Sequence, residues 1–403
     1  MKILVICQYY YPEPFRISDI CEELVKRGHE VTVVTGTPNY PMGEIYKGYE
    51  HGRKKCEVIN GVSVYRCFTI GRKGGTIKRF LNYYSYAISS TLHTVFMKNE
   101  YDVVFVNQLS PVMMSYAGIA YKKIHHKKLV MYCLDLWPAS LCAGGISNNS
   151  MIYKVFHRIS ANIYRNADRI LITSNMFSEY LHDELMIKTK RISYLPQYAE
   201  QLFDPITCAK TPDDYTDLMF AGNVGKVQNV EIIIKAAYKL KDKKVRFHIV
   251  GDGTDIDRLI HLKEKYKISN VIFHGRQPLE KMPAYYRMAD AMLVTLKDDP
   301  VLSLTLPGKV QTYMAAGKPI IGSINGETKR VIHDAHCGYC CEAENLIGFL
   351  EIINRFIANQ NNLTMGANSK LYYMRCFRKE LFIDSIENIM SNVCSTKSYK
   401  IKI

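Results

Sequence analysis

Three stretches in the second half of the chain combine glycine with a cation where a parallel strand would end. The run Gly222-Asn223-Val224-Gly225-Lys226 follows a short apolar segment and precedes a helical pattern beginning near Gln228. Its glycines let the backbone come close to a ligand, a helix start offers unpaired N–H groups at the positive dipole end, and Lys226 adds a full charge. That combination suits a diphosphate, although a lone Gly-x-x-Gly-Lys run serves as readily for a packing turn. The run Leu306-Pro307-Gly308-Lys309 opens a short helix that closes on Ala315-Ala316-Gly317 and leads directly into a strand. Its N-terminus turns amides and Lys309 toward an anion. In His274-Gly275-Arg276-Gln277 the guanidinium fork can donate two parallel hydrogen bonds to a phosphate. Lys226, Arg276 and Lys309, one from each loop, are expected to converge on a single pyrophosphate. Beyond the next strand, Gly326-Glu327 sits in a turn that either aims a carboxylate at a sugar or ribose hydroxyl or is simply solvated.

The first half offers carboxylates at comparable positions. Glu13 lies in the loop after the first strand and Asp135 follows the apolar run 129–134, both placed to orient a second substrate. Asp135 serves equally as the N-cap of a helix at Leu136-Trp-Pro. Trp137, the only tryptophan, either stacks on a sugar or covers the core, and Arg16 at the same rim either pairs with a phosphate or is solvated. The segment 72–90 carries Arg72, Lys73, Lys78 and Arg79 without an acid, with Ile77, Phe80, Leu81, Tyr84 and Ile88 at helical spacing. A basic amphipathic helix of this kind suits an anionic membrane surface; the alternative is a core helix with a solvated basic face. Cys337-Gly-Tyr-Cys340-Cys341 invites a metal site, but His333 and His336 do not reproduce a zinc spacing, so a buried strand with inert thiols is expected, and no metal or cofactor.

Positioning these residues requires parallel strands. Short β-branched apolar runs at 2–7, 31–35, 62–68, 103–107, 129–134, 169–173 and 191–194 alternate with helical stretches, the pattern of βαβ units. The alternation pauses at 195–214, where three prolines fall, and resumes with strands at 217–221, 245–250, 271–274, 291–295, 319–322 and 338–341. After about Ala343 the chain is helical, and the stretch 379–393 is expected to return to the first domain ahead of a frayed basic tail from Lys397. The expected organisation is α/β, with domains at 1–198 and 214–375 and a returning segment at 376–403. A chain of 403 residues, 47% hydrophobic and 23% charged, is an ordinary globular protein large enough for two cores. Twelve scattered cysteines, Cys208 among them, read as reduced thiols. The opening Met1-Lys2-Ile3-Leu4-Val5-Ile6-Cys7 is too short for a secretory leader, and no apolar stretch reaches the roughly 18 residues of a spanning helix, so a cytoplasmic location is expected. The balance of 53 basic and 38 acidic residues, +15, favours nucleic acid, anionic lipid or a phosphorylated substrate.

Phe220-Ala-Gly-Asn-Val-Gly-Lys-Val-Gln228, Phe273-His-Gly-Arg276 and, most specifically, Pro307-Gly-Lys-Val-Gln-Thr-Tyr-Met-Ala-Ala-Gly-Lys-Pro319 followed by Gly326-Glu327 resemble the nucleotide-sugar domain of a GT-B glycosyltransferase of family 4. In the first half, Tyr9-Tyr-Tyr-Pro-Glu-Pro-Phe-Arg16, Gly28-His-Glu-Val-Thr-Val-Val-Thr35 and Asp135-Leu-Trp-Pro138 resemble the subgroup that builds bacterial surface polysaccharides, transferases of N-acetylated deoxyhexosamines among them. The resemblance implies two facing Rossmann-like domains with a cleft between them, and sugar transfer from a nucleotide-sugar donor with retention of configuration and no essential metal. It assigns the diphosphate to Gly222, Asn223, Lys226, Pro307, Gly308 and Lys309, and places Arg276 by the nucleotide. A polyprenyl-diphosphate-linked acceptor is implied, oriented by Asp135 and Glu13 with Arg16 at its phosphate, and met at the inner face of the plasma membrane through residues 72–90. The family often carries two glutamates eight positions apart. Here Leu304 and Thr312 stand in their places, so ribose and sugar contacts fall to Thr312, Gln311 or Glu327. A nucleotide-sugar epimerase of the same fold and a basic nucleic-acid-binding protein are the alternatives. For the latter, 29 tyrosines lack any RNA-binding aromatic signature, and nucleic acid is not expected.

Overall fold

The computed structural model describes residues 1–143, 145–203, 210, 213–359 and 362–395. Cys208, much of the second half of the 195–214 linker, and the tail from Lys397 lie outside the described residues. The chain forms two units, Met1–Leu195 together with the chain from Ile383 onward, and Pro196–Phe382.

The first unit holds an eight-stranded sheet. Its strands are β1 (Lys2–Ile6), β2 (Glu30–Gly36), β3 (Cys56–Ile59), β4 (Val62–Cys67), β5 (Val103–Gln108), β6 (Lys128–Cys133), β7 (Arg169–Ile172) and β8 (Ile192–Tyr194). They run in the order β3-β4-β2-β1-β5-β6-β7-β8, and all are parallel except β3. β1, β5 and β6 are buried on both faces, which is why they read as unbroken apolar runs instead of alternating. β3 reads as no apolar run, because this edge strand is only half covered and Val58 is 74% exposed. The signal it did carry is Asn60-Gly61, both with positive φ (48° and 84°), a two-residue hairpin turn onto β4.

The second unit holds six parallel strands, β9 (Thr216–Ala221), β10 (Val245–Val250), β11 (Val271–Gly275), β12 (Ala291–Thr295), β13 (Ile320–Ser323) and β14 (Gly338–Cys341), in the order β11-β10-β9-β12-β13-β14. Chain order reverses between β1 and β5 in the first sheet and between β9 and β12 in the second. In open parallel sheets, ligands bind at that reversal, outside the carboxyl ends of the strands. The helix expected near Gln228 begins later. A single 3-10 turn, Lys226–Gln228, ends on left-handed Asn229 (φ 46°), and the α-helix runs Glu231–Lys239. The terminal helix Lys379–Ser395 starts in the second unit and serves the first, where Arg27 donates to Asp384 (2.6 Å) and Glu387 (2.5 Å).

At the start of β9 the carboxylate of Asp217, 3% exposed, gathers Arg246 Nε (2.6 Å), His248 Nε2 (2.9 Å) and Lys210 Nζ (2.5 Å). Burial alone would raise its pKa, but hydrogen bonds from His248, Arg246 and Lys210 outweigh it and hold the carboxyl far below the usual range. A carboxyl depressed in the folded state stabilises fully above its ordinary value near 4 and loses that contribution as pH falls. Asp217→Asn is therefore expected to cost about 3 kcal/mol near neutrality. In urea unfolding across pH, the gap between variant and wild type should close as pH drops below 4; a gap independent of pH would contradict this account.

Candidate functional site

Two residues of one short helix build the centre of the site. Tyr313 and Lys309 lie four positions apart on Gly308–Ala315, hence on one face. The Tyr313 hydroxyl accepts from Ala221 N (3.0 Å) and donates to Ala221 O (2.9 Å), fastening the helix to the end of β9. One turn earlier, Lys309 Nζ sits 3.8 Å from the Phe220 ring centroid, and a Cβ built on Gly222 would lie 3.3 Å from it. Gly222 itself has φ 137°, a conformation that side-chain-bearing residues rarely adopt, which is why glycine stands there. The ammonium is buried and has no hydrogen-bond partner. Burial lowers its pKa from 10.5 to about 7. The helix start is open: Pro307 caps it, and a Cβ on Gly308 would meet nothing within 4 Å.

The neighbouring loop is equally tight. Gly222 N donates to Val250 O and Val224 N to Asp252 O, both at 2.9 Å, and a Cβ on Gly251 would fall 1.9 Å from Gly222 O. Gly251 N donates to Gly275 O (2.9 Å), which brings Arg276 to the same rim. Arg276 is exposed and stands two strands from β9, roughly 10 Å at about 4.8 Å per strand. Lys226 is also exposed, within electrostatic range of Asp255. Asn223 Nδ2 (3.2 Å) and Gly225 N (3.1 Å) both donate to Gln228 Oε1, which closes the Asn223–Lys226 loop on itself. Of the three expected cations, Lys309 is buried against the end of β9, whereas Lys226, within the glycine loop, and Arg276 are exposed.

Glu327 departs from expectation. It lies inside the helix Gly326–Asp334, its side chain is fully buried, and it pairs with Arg330 (2.7 Å), so the turn foreseen from sequence is a helix start. Thr312 Oγ1 donates to its own helix at Gly308 O (3.1 Å) and stands 3.5 Å from Glu200 Oε2. Sequence inspection missed Glu200, which is distant along the chain from the helix it approaches. It also passed over Gly251-Asp252-Gly253, whose glycines after an apolar run were a visible signal.

In the first unit, Asp135 accepts from the hydroxyls of Ser110 and Ser140, and burial raises its pKa. It does not cap a helix; the short helix here is Ser140–Ala143. Trp137 is core: it is 5% exposed, donates through Nε1 to Ser110 Oγ (2.6 Å) and packs edge-on against Phe156. Glu13 accepts from the amides of Asn39 (2.8 Å), Tyr40 (2.7 Å) and Tyr10 (3.3 Å); burial outweighs these bonds and raises its pKa to about 7. Arg16 precedes the helix Ile17–Lys26.

The helix Thr76–Val95 is inverted relative to a core helix. Asn82 bonds Gln8 (2.9 Å) and Ile70 O (2.6 Å), Tyr86 bonds Cys7 O (2.9 Å), and Thr94 bonds Ala117 O (3.0 Å), so polar groups face inward. Ile77, Leu81, Tyr84, Ile88 and Leu92 form an exposed stripe at helical spacing, with Ile77 77% exposed. A core helix with a solvated basic face is thereby excluded. Arg72 and Lys73 precede the helix, and Arg72 lies over the ring of Tyr40. Among the described residues no helix is long and apolar enough to cross a membrane. Cys337 is buried and its thiol is pushed up to about 12 by that burial, so it stays protonated. Among the described residues no three His, Cys, Asp or Glu side chains gather where they could hold a metal.

The family model for glycosyl transferases group 1 matches residues 209–370, and that for Glycosyltransferase Family 4 matches residues 16–197. The chain is 26% identical over 337 residues to the putative colanic acid biosynthesis glycosyl transferase WcaI of Escherichia coli K12, an alignment covering 79% of this chain and 82% of that protein. Sucrose-phosphate synthase from Thermosynechococcus elongatus superposes with a TM-score of 0.77 at 16% identity, over 98% of this chain and 100% of that one. Anabaena HepE in complex with UDP superposes with a TM-score of 0.71 at 15% identity, over 97% and 100%. At such identities the structural likeness carries the fold alone, and that fold is GT-B. The epimerase and nucleic-acid alternatives gain no support from these relatives.

A lysine depressed to about 7 destabilises the empty protein most at and below that pH, and the effect fades as pH rises toward 10.5. Lys309→Met should therefore raise the Tm at pH 7 and lose that advantage near pH 10. It should also weaken inorganic pyrophosphate by about tenfold to a hundredfold. In calorimetry at pH 8, binding of inorganic pyrophosphate to the wild type should take up protons, seen as a buffer-dependent enthalpy, and Lys309→Met should not; equal proton uptake in the two would place the titrating group elsewhere.

Proposed function

Because the chain carries group 1 and family 4 glycosyltransferase domains on a GT-B fold, it is a glycosyltransferase, and we propose that it moves a sugar from a nucleotide diphosphate to a lipid-linked or saccharide acceptor with retention of anomeric configuration. The donor is a UDP-linked N-acetylated hexosamine or deoxyhexosamine, and the product is a capsule, O-antigen or exopolysaccharide. The observation that carries this is the buried, unpartnered Lys309 ammonium beside Gly222 at the open start of a helix. Support for the nucleotide comes from HepE, described in complex with UDP, and for the product from WcaI, named for colanic acid biosynthesis.

Breaking the glycosyl phosphate bond develops negative charge on the leaving diphosphate and positive charge on the sugar ring. A fixed ammonium and helix-start amides aimed at that diphosphate stabilise the transition state more than the ground state. Asn223, Lys226 and Arg276 extend the same rim toward the rest of the nucleotide, and Thr312 with Glu200 offers hydrogen bonds to hydroxyls. The leaving phosphate accepts the acceptor's proton, so no separate base is required. Asp135 orients the acceptor hydroxyl; Glu13 acts through the loop at residues 39–40 that it holds. The acceptor hangs from a polyprenyl diphosphate, and the protein meets it at the inner face of the plasma membrane through the outward stripe of the helix Thr76–Val95, with Lys78 beside anionic lipid.

A panel of nucleotide sugars, read by release of free nucleotide diphosphate with and without a polyprenyl-diphosphate-linked sugar, tests the transfer. Acceptor-dependent release from a UDP-sugar and an α-to-α product by NMR are expected; inversion at the anomeric carbon would refute retention. For the membrane contact, Ile77→Ser combined with Ile88→Ser should cut binding to phosphatidylglycerol vesicles by about tenfold. Unchanged vesicle binding would remove this face from the interaction.

A further inference from the structure

Arg72 is a cation without an acid. Its guanidinium carbon lies 4.5 Å from the centroid of the Tyr40 ring and 6.0 Å from that of Tyr9. Those rings stand 5.8 Å apart, and Phe15 stacks on Tyr9 at 4.9 Å, so the charge rests against an aromatic wall at the carboxyl end of β1. Among the described residues no carboxylate pairs with Arg72, nor with Arg79 in the first turn of the helix Thr76–Val95. Lys73 between them is paired, to Glu44 at 2.5 Å.

A second group is also unsatisfied. Tyr9 is 4% exposed; its buried hydroxyl lies beside the Arg72 guanidinium and has no acceptor for its proton. Tyr83 joins the cluster: burial raises its hydroxyl pKa, Arg72 and Arg79 pull it back, and Asp135 pushes it up, so all three charges lie within electrostatic range of one phenol. Arg72 is half-buried, and an anion entering beside it would accept from both its guanidinium and the buried Tyr9 hydroxyl.

We propose that Arg72, with Arg79 and the hydroxyls of Tyr9 and Tyr83, binds the diphosphate of the acceptor, which rests on the acceptor role assigned to the first unit above. The Arg72 fork suits two phosphate oxygens at once. Asp135 lies on the sugar side of that diphosphate. The exposed stripe opening at Ile77 and Leu81, on either side of Arg79 in the first turns of the helix, receives the hydrocarbon. Arg72 is thus a binding residue for the acceptor's phosphate, distinct from the donor's Lys309.

The test uses the full chain with saturating UDP to occupy the Lys309 loop, and farnesyl diphosphate as the probe. Wild type should bind farnesyl diphosphate at least about tenfold more tightly than farnesol, which shares the tail without the charge. Arg72→Ala should weaken farnesyl diphosphate at least about tenfold while UDP affinity stays within twofold, and Arg72→Lys should recover part of the loss. Tyr9→Phe removes only the orphan hydroxyl; it should weaken the probe several-fold with the Tm unchanged or raised. Lys309→Met should show the converse, losing UDP and, with the donor loop empty, keeping farnesyl diphosphate. Equal binding of farnesol and farnesyl diphosphate, or both Arg72→Ala and Tyr9→Phe within twofold of wild type, would overturn the site. If wild type fails to bind UDP yet binds farnesyl diphosphate through Arg72, the donor assignment falls and this site stands.

Discussion

A single ammonium held against the end of β9, without a counter-ion and beside Gly222, organises the second unit. Holding it there takes the Tyr313 clasp on Ala221, the φ of Gly222 and the backbone contact between Gly222 and Gly251. They keep Lys309 desolvated, so that its charge is available when a phosphate arrives and is costly when none is present. The sheet supplies the place, since the order of strands reverses between β9 and β12 and leaves their carboxyl ends uncovered by a crossover.

The first unit solves a different problem with the same topology. Its reversal, between β1 and β5, is crowded by aromatic rings and serine hydroxyls, and the helix that follows β4 turns its polar face to the sheet. Inverting a helix in this way is stable because Asn82, Tyr86 and Thr94 find partners in the strand ends and the neighbouring helix. What it leaves outside is an apolar stripe longer than solubility alone would favour.

Most of the strands were legible because strands buried on both faces are written as plain runs of Val, Ile and Leu. β10, β12 and β14 fall on the residues expected, and β1, β7 and β13 within one or two. β3 was not legible as a run, since an edge strand covered on one side carries little apolar patterning. The helix start at Glu231 was misplaced because Gln228 and left-handed Asn229 impose a turn that periodicity does not register. Among site residues, Lys309 and Gly222 could be named from local motifs. Burial of the Glu327 carboxylate, the approach of Glu200 to Thr312 and the rings beneath Arg72 depend on residues remote in the chain, and no local pattern encodes them.

The terminal helix gives the chain an unusual schedule. Arg27 and His29 leave the ribosome ahead of the second unit, yet Asp384 and Glu387, the groups that bond them, emerge only after that whole unit has been made. The half that is synthesised first is therefore the half that is completed last, and until then its nascent form must wait with two basic side chains and a helix-sized surface uncovered.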